Sequence, residues 1–237
     1  MVILALLIFI YAYMILHMNP PDTRPRGRPR QADTLESDMR GRIIATARQL
    51  FLRDGVEAVS MRKLAAEVGC SPMWLYRYFA NKQEILWQVW DLFFDDLFAR
   101  LAQIEAPTPR ARLEQAALVY LEYWQTHPDR FLIVFLQKDL APGGTRHYVE
   151  GSGITGRFDF FTGIIREAQA LGDLGGTDAL EIGQGLMCLL QGLALNFITI
   201  PEYPWRDPAA LARLTVGSYL AGLAGQAPGP PPLNRRP

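Results

Sequence analysis

The chain has 237 residues, 24 basic and 24 acidic side chains that cancel to zero formal charge, and only two cysteines, Cys70 and Cys188. This length buries a full core and suits one domain of about 50 residues beside a larger one. Zero net charge argues against indiscriminate polyanion binding by the whole molecule, and two cysteines argue against a disulfide framework and for a reducing cytoplasm.

Residues 1–17, MVILALLIFIYAYMILH, are apolar almost throughout. As a helix rising 1.5 Å per residue they reach about 25 Å, at the short limit for a bilayer. No basic residue precedes them and no small-residue cleavage site follows, so they make a poor secretory signal. A membrane anchor is one reading, with Arg24 to Arg30 holding the body in the cytoplasm. The reading adopted is a false start with Met18 as the true first residue. The body is rich in Ala, Gly, Pro and Arg and has three lysines, a GC-rich coding pattern. The leader is instead built of Ile, Phe, Tyr and Met, whose codons are mostly AT-rich.

Residues 18–36 are expected to be a disordered basic arm. Within it Pro25-Arg26-Gly27-Arg28-Pro29 resembles the core of an AT-hook. Gly lets a backbone sit deep in a narrow minor groove, where Arg26 and Arg28 would meet an enhanced negative potential. A merely solvated basic tail is the alternative.

Residues 37–82 hold three short amphipathic helices. Ile43, Ile44, Ala47, Leu50 and Phe51 form one stripe, closed by Asp54-Gly55. Leu64, Ala65 and Val68 line a second helix, ended by Gly69, which supplies a positive φ. Ser71 caps a third, about seven residues long, with Pro72 at its first position, where a missing N–H costs nothing. That helix presents Met73, Trp74, Arg77 and Tyr78 outward and turns Leu75 and Phe79 to the core. Two helices joined by a Gly-containing turn match a helix-turn-helix that enters the major groove.

The offsets Ser60-x3-Leu64-Ala65-x2-Val68-Gly69-Cys70-Ser71-x3-Leu75-Tyr76-x-Tyr78-Phe79-x-Asn81-Lys82-x-Glu84-x-Leu86 closely resemble the DNA-binding signature of the TetR family of bacterial repressors. The motif resemblance covers roughly residues 37–90. It implies an all-α fold: a three-helix headpiece at 37–82, then a larger helical domain at 83–224 for effector binding and dimerisation, with 225–237 a disordered tail. By motif position, Met73, Trp74 and Arg77 are expected at base edges. Ser60, Arg62, Ser71, Tyr76, Tyr78 and Lys82 are expected along the backbone of double-stranded operator DNA. Trp74 stands where many relatives carry a smaller residue, which leaves base preference open.

Charge is distributed accordingly. Residues 24–82 carry 12 Lys+Arg against 6 Asp+Glu, and residues 83–237 carry 12 against 17. A basic head on an acidic body suits a DNA reader with a separate sensing domain.

Beyond Lys82 the periodicity and breakers predict helices at Lys82–Ile104, Arg110–Thr126, Asp129–Leu140, Ile154–Leu171, Asp178–Thr199 and Asp207–Leu223. Their aromatics are mostly core. Trp90, Phe94, Tyr120, Trp124, Phe131, Phe135, Phe161 and the polar Gln191 are the candidates for lining a pocket that takes a flat, apolar effector. Small residues punctuate the last two helices (Ala179, Gly183, Gly185 and Gly192; Ala210, Gly217, Ser218 and Ala221). With Leu186, Leu190, Leu193, Leu214 and Leu220 they suit a homodimer face, the place that the resemblance also implies.

Catalytic signals fail on inspection. Gly151-Ser-Gly153-Ile-Thr-Gly156 fits a dinucleotide fingerprint, but no strand precedes it. His17, His127 and His147 share no metal-ligand spacing, and G-x-S-x-G, H-E-x-x-H and C-x-x-C are missing. No enzyme activity, cofactor or metal is expected. A chain starting at Met18 should be soluble, dimeric and competent for DNA. Mass spectrometry of native protein should find its N-terminus at Met18 or Asn19. Native protein held in the membrane fraction against salt and carbonate would instead make residues 1–17 an anchor.

Overall fold

A computed structural model describes residues 31–137, 147–150, 152–176 and 178–224, with side chains from 38 onward; the apolar leader, most of the basic arm and the C-terminal tail lie outside them. In chain order the helices are α1 (Gln31–Asp54), α2 (Met61–Val68), α3 (Pro72–Leu75), α4 (Lys82–Leu101), α5 (Pro109–Thr126), α6 (Pro128–Phe135), a 3-10 turn at Tyr148–Glu150, α7 (Ile154–Ala170), α8 (Ala179–Thr199) and α9 (Pro208–Leu223). Among the described residues there is no strand, so the fold is all-α as expected.

Helix starts follow local chemistry. Thr108 accepts the Ala111 N–H at 3.1 Å, with Pro109 in the first turn of α5. Asp178 and Asp207 cap α8 and α9, accepting from Leu180 at 3.3 Å and Ala209 at 3.2 Å. Several ends differ from expectation. α1 already begins at Gln31, inside the stretch read as a disordered arm. α4 stops at Leu101, and α6 stops at Phe135, five residues before Leu140.

The residues divide into two compact units. Among the described residues, one joins 31–95 with 129–137, 147–150 and 152–154; the other joins 96–128 with 155–176 and 178–224. The division falls within α4.

In the first unit Ile43, Ala47, Leu50 and Phe51 of α1 are buried with Leu64, Ala65 and Val68 of α2, and with Leu75, Phe79, Ile85 and Leu86. Each such aliphatic side chain contributes about 1.5–3 kcal/mol relative to exposure. In the second unit α5, α8 and α9 pack together. Their core is Leu113, Tyr120 and Trp124 with Ile182, Leu186, Leu190, Val216 and Leu220. α8 is long and apolar enough to cross a bilayer, yet its Ile182, Leu186, Leu190 and Ala194 are buried in this core. Leu186, Leu190 and Leu220, expected on a dimer face, thus serve the chain's own interior, because the three-helix packing claims that side of α8 and α9. Leu214 is 66% exposed.

One glycine decides how closely α8 and α9 approach. A Cβ at Gly185 would overlap the Tyr219 hydroxyl, which donates to the Ile182 carbonyl at 3.0 Å. Gly185→Ala should cost about 1–3 kcal/mol in urea unfolding, as overpacking does. In a Tyr219→Phe background the same substitution should cost less, because the overlapping oxygen is gone, and a double-mutant cycle measures that coupling.

Candidate nucleic-acid interface

The turn that aims the recognition segment is fixed by caps. Ser60 accepts the Lys63 N–H at 3.1 Å and starts α2. Gly69 closes it at φ 81°, ψ 35°, its N–H reaching the Ala65 carbonyl at 3.0 Å while Cys70 N–H reaches the same oxygen at 2.9 Å. Ser71 then accepts the Trp74 N–H at 3.1 Å, with Pro72 in the first turn of α3. The α-helix lasts only four residues, not seven. Arg77 and Tyr78 bond back three residues, to Trp74 at 3.1 Å and Leu75 at 3.0 Å, so the segment tightens as it leaves the helix. Phe79 N–H still reaches the Leu75 carbonyl at 3.2 Å, and Phe79 is buried with Leu75 before α4 begins at Lys82.

Neighbours brace this segment. The Arg40 guanidinium donates to the Tyr78 carbonyl at 2.8 Å and lies 4.4 Å over the Phe79 ring. Arg42 reaches the Val68 carbonyl at 3.4 Å. Asn81 accepts the Glu84 N–H at 3.0 Å and Glu84 accepts the Ala80 N–H at 2.9 Å, a reciprocal cap for α4. Across α1 and α2, Arg53 grips Asp54 at 2.8 and 2.9 Å while Lys63 adds a contact at 3.0 Å. The Arg53 hydrogen bond first, then that of Lys63, hold the Asp54 carboxyl far below the usual carboxylate range. The stabilisation is present above the unfolded carboxyl pKa and is lost as pH falls through the lower folded value.

Met73 (82% exposed), Tyr76 (53%) and Arg77 stand clear of the protein, as does Arg62 on α2. Trp74 is half-buried, its ring 4.8 Å from that of Tyr78, so both are held in place. Ser60 and Ser71 are exposed but spend an acceptor on their caps, leaving the O–H to donate. Lys82 departs furthest from expectation: its ammonium donates to the Val56 carbonyl at 2.7 Å and ties the α1–α2 loop to α4. Arg26 and Arg28 lie outside the described residues. Arg40 escaped the sequence reading because its target is 38 residues away, and a lone arginine in a helix carries no spacing signal.

The candidate effector residues divide between the units. In the first, Trp90 and Phe94 flank Tyr148 at 5.1 and 6.3 Å between ring centres, and Phe135 joins Phe94 at 6.5 Å and Phe131 at 4.8 Å. In the second, Tyr120 and Trp124 meet edge to face at 6.1 Å, with Phe161 and Gln191 also buried. The Tyr120 hydroxyl is buried beside the Trp124 indole. Burial pushes its phenol well above the ordinary range, the Trp124 indole opposing the rise.

Residues 43–89 match the profile of bacterial regulatory proteins of the tetR family. This segment is a tetR-family match within the longer chain. It is 33% identical over 113 residues, 44% of its length, to the HTH-type transcriptional repressor DrrR1 of Streptomyces coeruleorubidus, and the match covers 37% of that protein. It is 26% identical over 48% of its length to the HTH-type transcriptional activator FasR of Mycolicibacterium smegmatis, covering 53% of that protein. The chain thus spans about half the length of these relatives or less. In fold it is similar to the crystal structure of the transcriptional regulator FadR from Bacillus subtilis in complex with stearoyl-CoA. The TM-score is 0.61 at 16% identity, covering 77% of this chain and 98% of that one.

Ser71→Ala should lower stability by about 1 kcal/mol in chemical denaturation, as loss of an N-cap does. Unchanged stability would mean that the cap bond contributes nothing to holding α3.

Proposed function

We propose that the chain is a cytoplasmic, DNA-binding transcriptional regulator: a homodimeric repressor released from its operator by a small apolar or aromatic effector. The observation that carries the DNA reading is the division of labour in residues 71–79. Leu75 and Phe79 are buried while Met73, Tyr76 and Arg77 face outward from a capped, braced turn. Arg77 and Met73 would then face base edges together with Trp74. Ser60, Arg62, Ser71, Tyr76 and Tyr78 would contact phosphates, and Arg26 and Arg28 would reach into the adjacent minor groove. Lys82 would act by bracing.

Dimerisation is supported by α9, where Leu214, Ser218 and Ala221 are exposed and Gly217 half-exposed at helical spacing, a stripe flat enough for close helix packing. The repressor reading follows the more similar relative, which is a repressor by name. Effector release is supported by the Tyr120 hydroxyl among buried rings, a polar point in an apolar surrounding. The FadR structure, which holds stearoyl-CoA, has the same fold. In this mechanism an effector favours a conformer whose two headpieces no longer match successive major grooves, with a coupling of about 1–3 kcal/mol.

The test is a duplex selected from a random pool, then titrated. Arg77→Ala should cost about 1–3 kcal/mol of binding and relax preference at one base position. A uniform loss across sequence variants would move Arg77 to the phosphates, and failure to select any sequence would defeat the reading.

A further inference from the structure

Arg40 acts on the recognition turn from behind. It sits half-buried on α1, 38 residues before its target. Its Nη1 donates to the Tyr78 carbonyl at 2.8 Å, and its guanidinium carbon lies 4.4 Å from the centre of the Phe79 ring. In a continuing helix the Tyr78 carbonyl would accept the N–H four residues on, that of Lys82. The chain leaves the helix before then, and Arg40 supplies a donor instead. A cation at the last carbonyls of a helical segment also meets the negative end of its peptide dipoles.

Holding a ring and a carbonyl together suits a planar cation. A guanidinium can cover an aromatic face while the N–H groups at its edge donate in its own plane. A lysine ammonium is a point charge on a flexible stem and does not fix both contacts in one geometry. What the guanidinium fixes extends to the outward face of the turn. The Tyr78 ring lies 4.8 Å from the Trp74 ring, and both residues are half-buried. Arg40, by holding the Tyr78 backbone, therefore sets where that pair of rings stands. Arg62 and Arg77 are by contrast exposed.

We propose, resting on the DNA-binding reading above, that Arg40 is a positioning residue for sequence-specific binding. It fixes the Tyr78 carbonyl and the Phe79 ring, and through them the Trp74–Tyr78 pair, and does not itself contact phosphate. Its loss loosens the turn that carries Met73, Trp74 and Arg77. Specific binding must then order that turn, whereas non-specific binding needs only charge. The signature is a lower ratio of specific to non-specific affinity at constant salt dependence. A phosphate contact would instead weaken every duplex alike and take about 0.9 from the salt slope.

Full-length protein is titrated with the duplex selected above and with a shuffled duplex of equal length, over a series of salt concentrations. Arg40→Lys keeps the charge. It should bind the selected duplex about tenfold more weakly, as a weakened hydrogen bond from a charged group implies, with the shuffled duplex and the salt slope unchanged. Arg40→Met should lose at least as much specific affinity, again at an unchanged slope. A second measurement needs no DNA. In ¹⁵N-labelled protein both substitutions should speed hydrogen exchange about tenfold at the Tyr78 and Phe79 amides, which bond to Leu75. The Leu64 amide, bonded to Ser60 at the start of α2, should exchange as before. Full specific affinity in Arg40→Lys, or equal losses on both duplexes with a shallower slope in Arg40→Met, would overturn the positioning role. Unchanged exchange at Tyr78 and Phe79, or equal acceleration at Leu64, would overturn the local brace. A wild-type protein that selects no duplex defeats the DNA-binding reading, and the exchange result then decides by itself whether Arg40 holds the turn.

Discussion

Four residues of α-helix are too few to hold themselves, because helix nucleation fixes several dihedrals for each bond gained. The segment from Ser71 to Phe79 is therefore a structure supported from outside. Its first turn is held by the Ser71 cap, its middle by burial of Leu75, and its last turn by Arg40 on the Tyr78 carbonyl with Phe79 in the core. Much of the first unit serves this support. Lys82 spans from α4 to the Val56 carbonyl, and the Asn81–Glu84 pair sets the start of α4 immediately after the exposed turn.

What was legible in the sequence was local. Gly69 in the left-handed region, Pro72 after a serine cap, and the opposed faces of Leu75 and Met73 each follow from one or two neighbours. They appear in the structure as read. The fold class followed from period and breakers for the same reason. The length of α3 was not legible: nothing in Tyr76-Arg77-Tyr78 forbids helix, yet Arg77 and Tyr78 bond back three residues and not four. The bracing bond of Lys82 was not legible, because its partner is a carbonyl 26 residues back. Arg40 was invisible for the same reason.

The sensing side was the least legible. Aromatic residues crowd both units, and composition cannot separate packing from recognition. The structure places Trp90, Phe94, Phe131 and Phe135 in one cluster around Tyr148. Tyr148 itself had no signal in sequence beyond being one tyrosine among nine. In the other unit the Tyr120 hydroxyl lies buried beside the Trp124 indole, a property of packing and not of residue type.

The exposure of Met73, Tyr76 and Arg77 has an evolutionary consequence. None of the three is buried in the core, whereas Leu75 and Phe79, interleaved with them, carry the packing. Stability and address are thus written in alternate letters of one short word. Exchanges at the outward positions change stability little, so target choice can drift over many substitutions while the headpiece stays folded at every step.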